Sequence, residues 1–290
     1  MVNSRTLTSA DGTPLRADLY PLLDPLGTAP SQPSRSRPTV VILHGYCEHR
    51  GRYRHVAEHL HRHGYPVLVG DLRGHGESGG SRAFVRRFSD YLDDVKALID
   101  AAPELSQPAG SAVAKPILLG HSMGGLVGLQ FALHHPEALH ALVLSSPFLG
   151  LKIIVPGWKR TLGLVGSVVS PTLRLPSGLS SADLSHDPEV GRRYDADPLV
   201  THDATARWFT ETTAAQDDLR ARAGRVHVPT LMQVAGDDRI VDAAVSQVIF
   251  DRLGAADKNL TVYPGLYHEI YNEVDRERVL TDLTNWLAEH

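Results

Sequence analysis

Residues 117–125 read Ile-Leu-Leu-Gly-His-Ser-Met-Gly-Gly, an apolar run ending in Gly-x-Ser-x-Gly at Gly120, Ser122 and Gly124. A serine hydroxyl is a weak nucleophile. It becomes a strong one when a base takes its proton and an acid orients that base. The glycines fit a sharp turn from strand to helix, where the nucleophile's backbone is strained and its neighbours must be small. Such a turn lifts Ser122 clear of a sheet and aims the first amides of the next helix at a developing oxyanion. A Gly-rich junction with an incidental serine has the same letters, so the strand before it and the helix after it carry the reading.

The base and the acid follow from chain order, which on a sheet of this kind runs Ser, then Asp or Glu, then His. The chain holds 16 histidines, and order removes most of them. The segment VPTLMQVAGDDRIVD (228–242) offers a strand followed by Asp237, Asp238 and Asp242. Beyond these lie only His268 and His290. His290 ends the sequence, a poor place for a base that must be held rigidly. His268 follows the strand-like Leu-Thr-Val-Tyr-Pro-Gly and precedes a helix, so it falls on a loop at the carboxyl edge of the sheet. For the acid, Asp238 is preferred to Asp237, with loop geometry as the discriminator. The first core strand ends at His44-Gly45, which makes the Tyr46 amide the second oxyanion donor beside that of Met123.

These residues need a sheet to position them. Runs rich in Val, Ile and Leu predict strands at Thr39–Leu43, Pro66–Asp71, Ile117–Leu119, Leu139–Leu144, Thr230–Val234 and Leu260–Tyr263. Consecutive apolar positions are the mark of strands buried on both faces. Helices are predicted between them at Tyr53–Arg62, Phe88–Ala101, Gly124–His134, Ala243–Leu253 and Arg276–Ala288. The repeated order predicts an α/β class, doubly wound, mostly parallel sheet. Arg5–Thr8 and Pro14–Tyr20 read as an edge hairpin turned at Asp11-Gly12, and the Pro- and Ser-rich 21–38 as a loop.

The alternation fails from Gly150 to Gly224, where no strand is evident. Leu151–Leu179 is apolar, is cut by Pro156, Pro171 and Pro176, and carries Lys152, Lys159, Arg160 and Arg174; no acid occurs from 138 to 182. We expect an inserted helical cap, or lid, over 150–223, borne by a core of 1–149 and 224–290.

Five ordered blocks then carry a resemblance. HGYCEHRGRY (His44–Tyr53), DLRGHGESGG (Asp71–Gly80), GHSMGG (Gly120–Gly125), AGDDRIVD (Ala235–Asp242) and YPGLYHEIYNE (Tyr263–Glu273) resemble the monoacylglycerol lipase and lysophospholipase group of α/β hydrolases. SHDPEVGRRYDADPLV (Ser185–Val200) is similar to that group's cap-to-core segment. The resemblance implies an α/β-hydrolase fold with a helical cap and a triad of Ser122, Asp238 and His268. It also implies oxyanion amides at Tyr46 and Met123. It sets Glu48 and Arg52 beside the pocket, structuring the loop or meeting the glycerol end of a substrate. The group often has small residues where this chain has Tyr46 and Cys47, so a pocket narrowed near the leaving group is expected. A bulky adduct on Cys47 would crowd the same place.

Other signals are set aside. Gly74-x-Gly76-x-x-Gly79 matches a dinucleotide fingerprint, but no helix pattern opens at its glycines. His55 and His59, four apart, lack further ligands for a metal site and read as a solvated helix face. A formal charge of −4 offers no global basicity for nucleic acid. One cysteine excludes an internal disulfide. With no apolar leader and no membrane span, a cytoplasmic protein is expected, peripheral at a membrane surface through its cap. The expected chemistry is cleavage of a small lipid ester, a monoacylglycerol, through an acyl-enzyme on Ser122. It needs no cofactor or metal. Lysophospholipase or general carboxylesterase is the alternative, and a catalytically inactive binding protein of the same fold is the alternative of another class.

Overall fold

The computed structural model describes residues 2–21, 37–106, 114–152 and 157–290. Most of the predicted loop at 21–38, and Pro156, lie outside the described residues. Ten strands are seen among them: β1 Asn3–Thr8, β2 Pro14–Tyr20, β3 Val40–Leu43, β4 Val67–Gly70, β5 Ile117–His121, β6 Ala141–Ser145, β7 Arg174–Pro176, β8 Asp203–Thr205, β9 Thr230–Ala235 and β10 Lys258–Tyr263. Eight of these form one sheet in the order β1-β2-β4-β3-β5-β6-β9-β10. From β4 to β10 every pairing is parallel, and the β1–β2 hairpin adds antiparallel at the edge. The expected doubly wound sheet and edge hairpin are both present.

The strands divide by burial as their sequences require. β3, β4, β5 and β6 are buried at every residue, with helices on both faces. In β2, by contrast, Leu15, Ala17 and Leu19 alternate inward while Arg16 and Asp18 remain partly exposed.

The α-helices are α1 Arg54–Arg62, α2 Ser89–Ala101, the short α3 Pro103–Ser106, α4 Met123–His134, α5 Gly157–Val169, α6 Pro188–Ala196, α7 Ala206–Arg222, α8 Ala243–Arg252 and α9 Arg276–Glu289. α4 is buried from Met123 to Leu133, which accounts for its nearly unbroken apolar sequence. No described helix is long and apolar enough to cross a membrane.

The stretch between β6 and β9 differs from expectation in one respect. It contains α5, α6 and α7, but also two three-residue strands, β7 and β8, paired antiparallel. Pro176 ends β7, and the ladder is too short to leave an alternating pattern in the sequence. α7 begins directly after β8, with Thr205 as its N-cap.

Two discounted signals are accounted for. Gly74 and Gly76 have φ of 74° and 49°, and a Cβ on Gly76 would lie 2.2 Å from the Asp71 carboxylate. They serve a loop tied down by Arg50 on Asp71 and Arg73 on Asp94, and the next helix opens only at Ser89. On α1 the expected solvated histidine face is not found: His59 is buried, and half-buried His55 meets the Tyr271 carbonyl through Nε2 at 2.8 Å, because the helix lays this side against the core. Among the described residues no three His, Cys, Asp or Glu side chains are grouped to hold a metal.

Candidate active site

The strand order reverses between β3 and β5. In such sheets the crevice at the carboxyl ends of the diverging strands is where ligands bind. The candidate residues lie there, on the loops after β3, β5, β9 and β10.

Ser122 sits between β5 and α4 with φ 50° and ψ −114°, a conformation that L-residues rarely adopt. Contacts hold it: its amide donates to Ser145 O at 2.9 Å, and its carbonyl accepts from Gly125 and Phe148, each at 2.9 Å. The glycines of the motif are steric necessities. A Cβ on Gly120 would lie 2.2 Å from Gly124 O, and one on Gly124 would lie 2.5 Å from Leu43 O. The turn packs β5, α4 and the end of β3 closer than any side chain permits.

His268 Nδ1 lies 2.7 Å from Asp238 Oδ2, and both side chains are buried. The other oxygen, Asp238 Oδ1, accepts from the amides of Ile240 and Val241 at 2.8 and 2.9 Å. Burial opposes ionisation of Asp238, but His268 and the two amides outweigh it and hold the carboxyl below its usual range. For His268 burial pulls downward, and the attraction and hydrogen bond of Asp238 prevail, raising it above its ordinary value. Asp237 is exposed. His290 pairs with Asp257 at 2.8 Å instead. The His121 ring, next to Ser122 in the chain, lies 4.8 Å from that of His268. Burial, reinforced by neighbouring His268, depresses His121 to about 3, so it is neutral. The Ser122 hydroxyl makes no hydrogen bond to His268 here; such contacts are often loose before substrate binds.

The loop after β3 is held by buried polar groups. Leu72 N donates to His44 Nε2 at 3.0 Å, which puts the His44 proton on Nδ1, facing Gly45 O at 2.7 Å. Glu48 Oε1 accepts from Gly45 N and Tyr53 Oη, each at 2.6 Å. Its Oε2 accepts from Arg52, which also forms a two-pronged pair with Glu269 at 2.6 and 2.7 Å. Among the described residues no group accepts from the amides of Tyr46 or Met123. The Glu48–Arg52–Glu269 chain therefore joins the β3 loop to the residue that follows His268.

Tyr46 lines the cleft, but its ring is drawn onto Trp208 and its hydroxyl lies 3.0 Å from Ala83 O. Cys47, at φ 66°, is 1% exposed, and burial pushes its thiol up to about 12. The expected adduct on Cys47 thus has no access in the folded chain.

Glu269, His121, Tyr194 and Trp208 were not singled out in the sequence. Glu269 had the best signal, since it adjoins His268, and Arg52 buried beside Glu48 leaves room for a second carboxylate. Tyr194, whose ring lies 4.9 Å from the Arg52 guanidinium, and Trp208 depend on long-range folding that local pattern does not reveal.

The chain matches the family model described as serine aminopeptidase, S33, over residues 34–275. It is 35% identical to a monoacylglycerol lipase of Mycolicibacterium smegmatis over 260 residues, covering 88% of this chain and 89% of that one. It is 34% identical to the phospholipase YtpA of Bacillus subtilis over 245 residues, 83% of this chain and 91% of the other. Among solved structures, the monoacylglycerol lipase of Paleococcus ferrophilus superposes with a TM-score of 0.83 at 28% identity, covering 95% of this chain and 99% of that one. A monoglyceride lipase of Saccharomyces cerevisiae with a substrate analogue gives 0.84 at 21% identity, over 100% and 96%, a likeness of fold.

Proposed function

The chain belongs to the serine aminopeptidase S33 family of α/β hydrolases, and from that premise we propose that it hydrolyses monoacylglycerols through an acyl-enzyme on Ser122. One observation carries the mechanism: a buried His268–Asp238 pair, 2.7 Å apart, on the same carboxyl edge of the sheet as a serine held at φ 50°. Ser122 Oγ attacks the ester carbonyl carbon as His268 Nε2 takes its proton, with Asp238 stabilising the imidazolium. The tetrahedral oxyanion accepts from the Tyr46 and Met123 amides. As the ester C–O bond breaks, His268 gives its proton to the leaving alcohol. Water then attacks the acyl-enzyme as His268 takes its proton, and His268 returns that proton to Ser122 Oγ as the Oγ–acyl bond breaks and the fatty acid leaves.

The walls of the cleft support the substrate. Its lining mixes apolar Leu179, Leu184 and Ile240 with polar Glu48, Arg52 and Glu269. The guanidinium is already shared by two carboxylates, so a phosphate in the leaving group would find no spare cation there. An uncharged polyol escapes this repulsion, which favours monoacylglycerol over lysophospholipid.

The segment 150–223 fits a cap over this cleft. α5 exposes Leu164, Val165, Val168 and Val169, the last two at 78% and 79%. Exposed Lys152 and Arg174 lie on the same segment. The apolar face of α5, in a segment whose sequence has no acid from 138 to 182, suits docking on an anionic membrane, where the substrate is dissolved. A cytoplasmic location, peripheral at that surface, fits the same reading.

Two experiments test this. Rates on a monoacylglycerol chain-length series are compared with lysophosphatidylcholine, a triacylglycerol and an aminoacyl anilide. The prediction is preference for monoacylglycerol; preference for lysophospholipid would overturn the substrate and leave the chemistry. In flotation with anionic vesicles at low salt, binding lost on Val168→Glu/Val169→Glu supports docking, and absence of wild-type binding rejects it.

A further inference from the structure

Trp208 occupies the first turn of α7, its amide capped by Thr205 Oγ1 at 3.4 Å. Its indole is 6% exposed. The ring stacks on Tyr46 with centroids 3.5 Å apart and planes 18° apart, and Phe148 lies parallel to it, 6.0 Å and 7° away. Its N–H points at the Met123 sulfur, 3.4 Å distant. Tyr46 and Met123 are the two residues whose amides the proposed mechanism uses.

We propose that Trp208 is a positioning residue of the oxyanion hole, one side chain from α7 that fixes the two separate loops carrying its amides. The proposal rests on the hydrolase reading above. No strand pairing holds Tyr46, which lies beyond the end of β3. Its hydroxyl is anchored at the far end by Ala83 O and Asp203 O, at 3.0 and 3.3 Å. Trp208 fixes the face of the ring between that anchor and the backbone. The same indole reaches the fully buried Met123 side chain at the start of α4. Tryptophan alone among side chains joins so large a flat face to a single N–H donor. The bulky residue after His44-Gly45 then has a purpose: its ring is the surface that Trp208 grips. The geometry matters because hydrogen-bond donors must be aimed where charge develops, and a shift of about 1 Å costs on the order of 100-fold in rate.

The test measures kcat and KM for p-nitrophenyl butyrate, inhibition by butylboronic acid, and thermal unfolding. Boronic acids form a tetrahedral adduct that occupies the hole, so their affinity reports donor alignment. Trp208→Leu removes both contacts and should lower kcat about 10- to 100-fold, with boronic acid affinity falling in parallel and KM little changed. Trp208→Phe keeps a ring against Tyr46 and loses the N–H, and should fall between Leu and wild type. If Trp208→Leu does not fold, Trp208→Phe and Tyr46→Leu carry the test. Variants that melt earlier yet keep kcat and boronic acid affinity would overturn the proposal, as would a rise in KM alone. A wild-type protein that neither turns over ester nor is labelled by a fluorophosphonate would overturn the hydrolase reading, and this proposal with it.

Discussion

Replacing Asp238 by Asn keeps the shape of its loop and removes what the carboxylate does for His268. Asp238 Oδ1 accepts from Ile240 N and Val241 N, and an Asn oxygen can do the same. Oδ2, 2.7 Å from His268 Nδ1, becomes an NH2 group that can only donate. The imidazole must then turn a lone pair toward position 238 and carry its proton on Nε2, which can no longer take one from Ser122. The wrong tautomer costs on the order of 10⁴ in kcat, about 5 kcal/mol. The pH profile must move as well. Burial depresses His268, and Asp238 more than compensates, so His268 is raised above its ordinary value. In the proposed mechanism neutral His268 is the active form, so kcat/KM rises with pH as His268 loses its proton, and the acid limb lies higher than an ordinary imidazole would place it. In Asp238→Asn burial is less opposed, and the limb of the residual activity moves down. The assay is kcat/KM for p-nitrophenyl butyrate across a pH series. A variant within about tenfold of wild type, or a comparable loss in Asp237→Asn instead, would refute the assignment.

Other substitutions probe the supports of the site. Ser122→Gly should abolish activity while raising stability by about 1 kcal/mol, because glycine tolerates φ 50° without strain; denaturant unfolding measures it. Glu48→Ala leaves Gly45 N and Tyr53 Oη unpaired and should cost about 3 kcal/mol, the lower end for a broken buried pair because Arg52 keeps Glu269. Equal midpoints in urea for this variant and wild type would contradict the network's role. Iodoacetamide should leave Cys47 unmodified in the folded protein and label it once unfolded, as mass spectrometry can report.

The parts of this molecule that could be read from its sequence are those in which local pattern and burial coincide. β3, β5 and β6 are buried on both faces, so their apolar runs are unbroken and their ends were predicted to within a few residues. Chain order separated His268 from the other histidines because a doubly wound sheet admits few arrangements of its loops. β7 and β8 were illegible for the opposite reason: three residues with a proline at one end contain no period. Glu269 and Trp208 act across long sequence separations. Glu269 pairs with Arg52 and Trp208 stacks on Tyr46, contacts that only the assembled sheet and α7 create. Tyr46 was visible as a large residue at a tight place, but its anchorage at Ala83 O and Asp203 O was not.

The most direct test of the central claim is to trap the acyl-enzyme. Wild-type protein is mixed with excess p-nitrophenyl butyrate, quenched in acid within the first turnovers, digested and mapped by mass spectrometry, with Ser122→Ala in parallel. The mechanism predicts a butyryl group on Ser122, in the peptide that contains Gly120 to Gly125, and neither adduct nor turnover in the variant. Turnover that persists in Ser122→Ala, or a butyryl group confined to another residue, would contradict it.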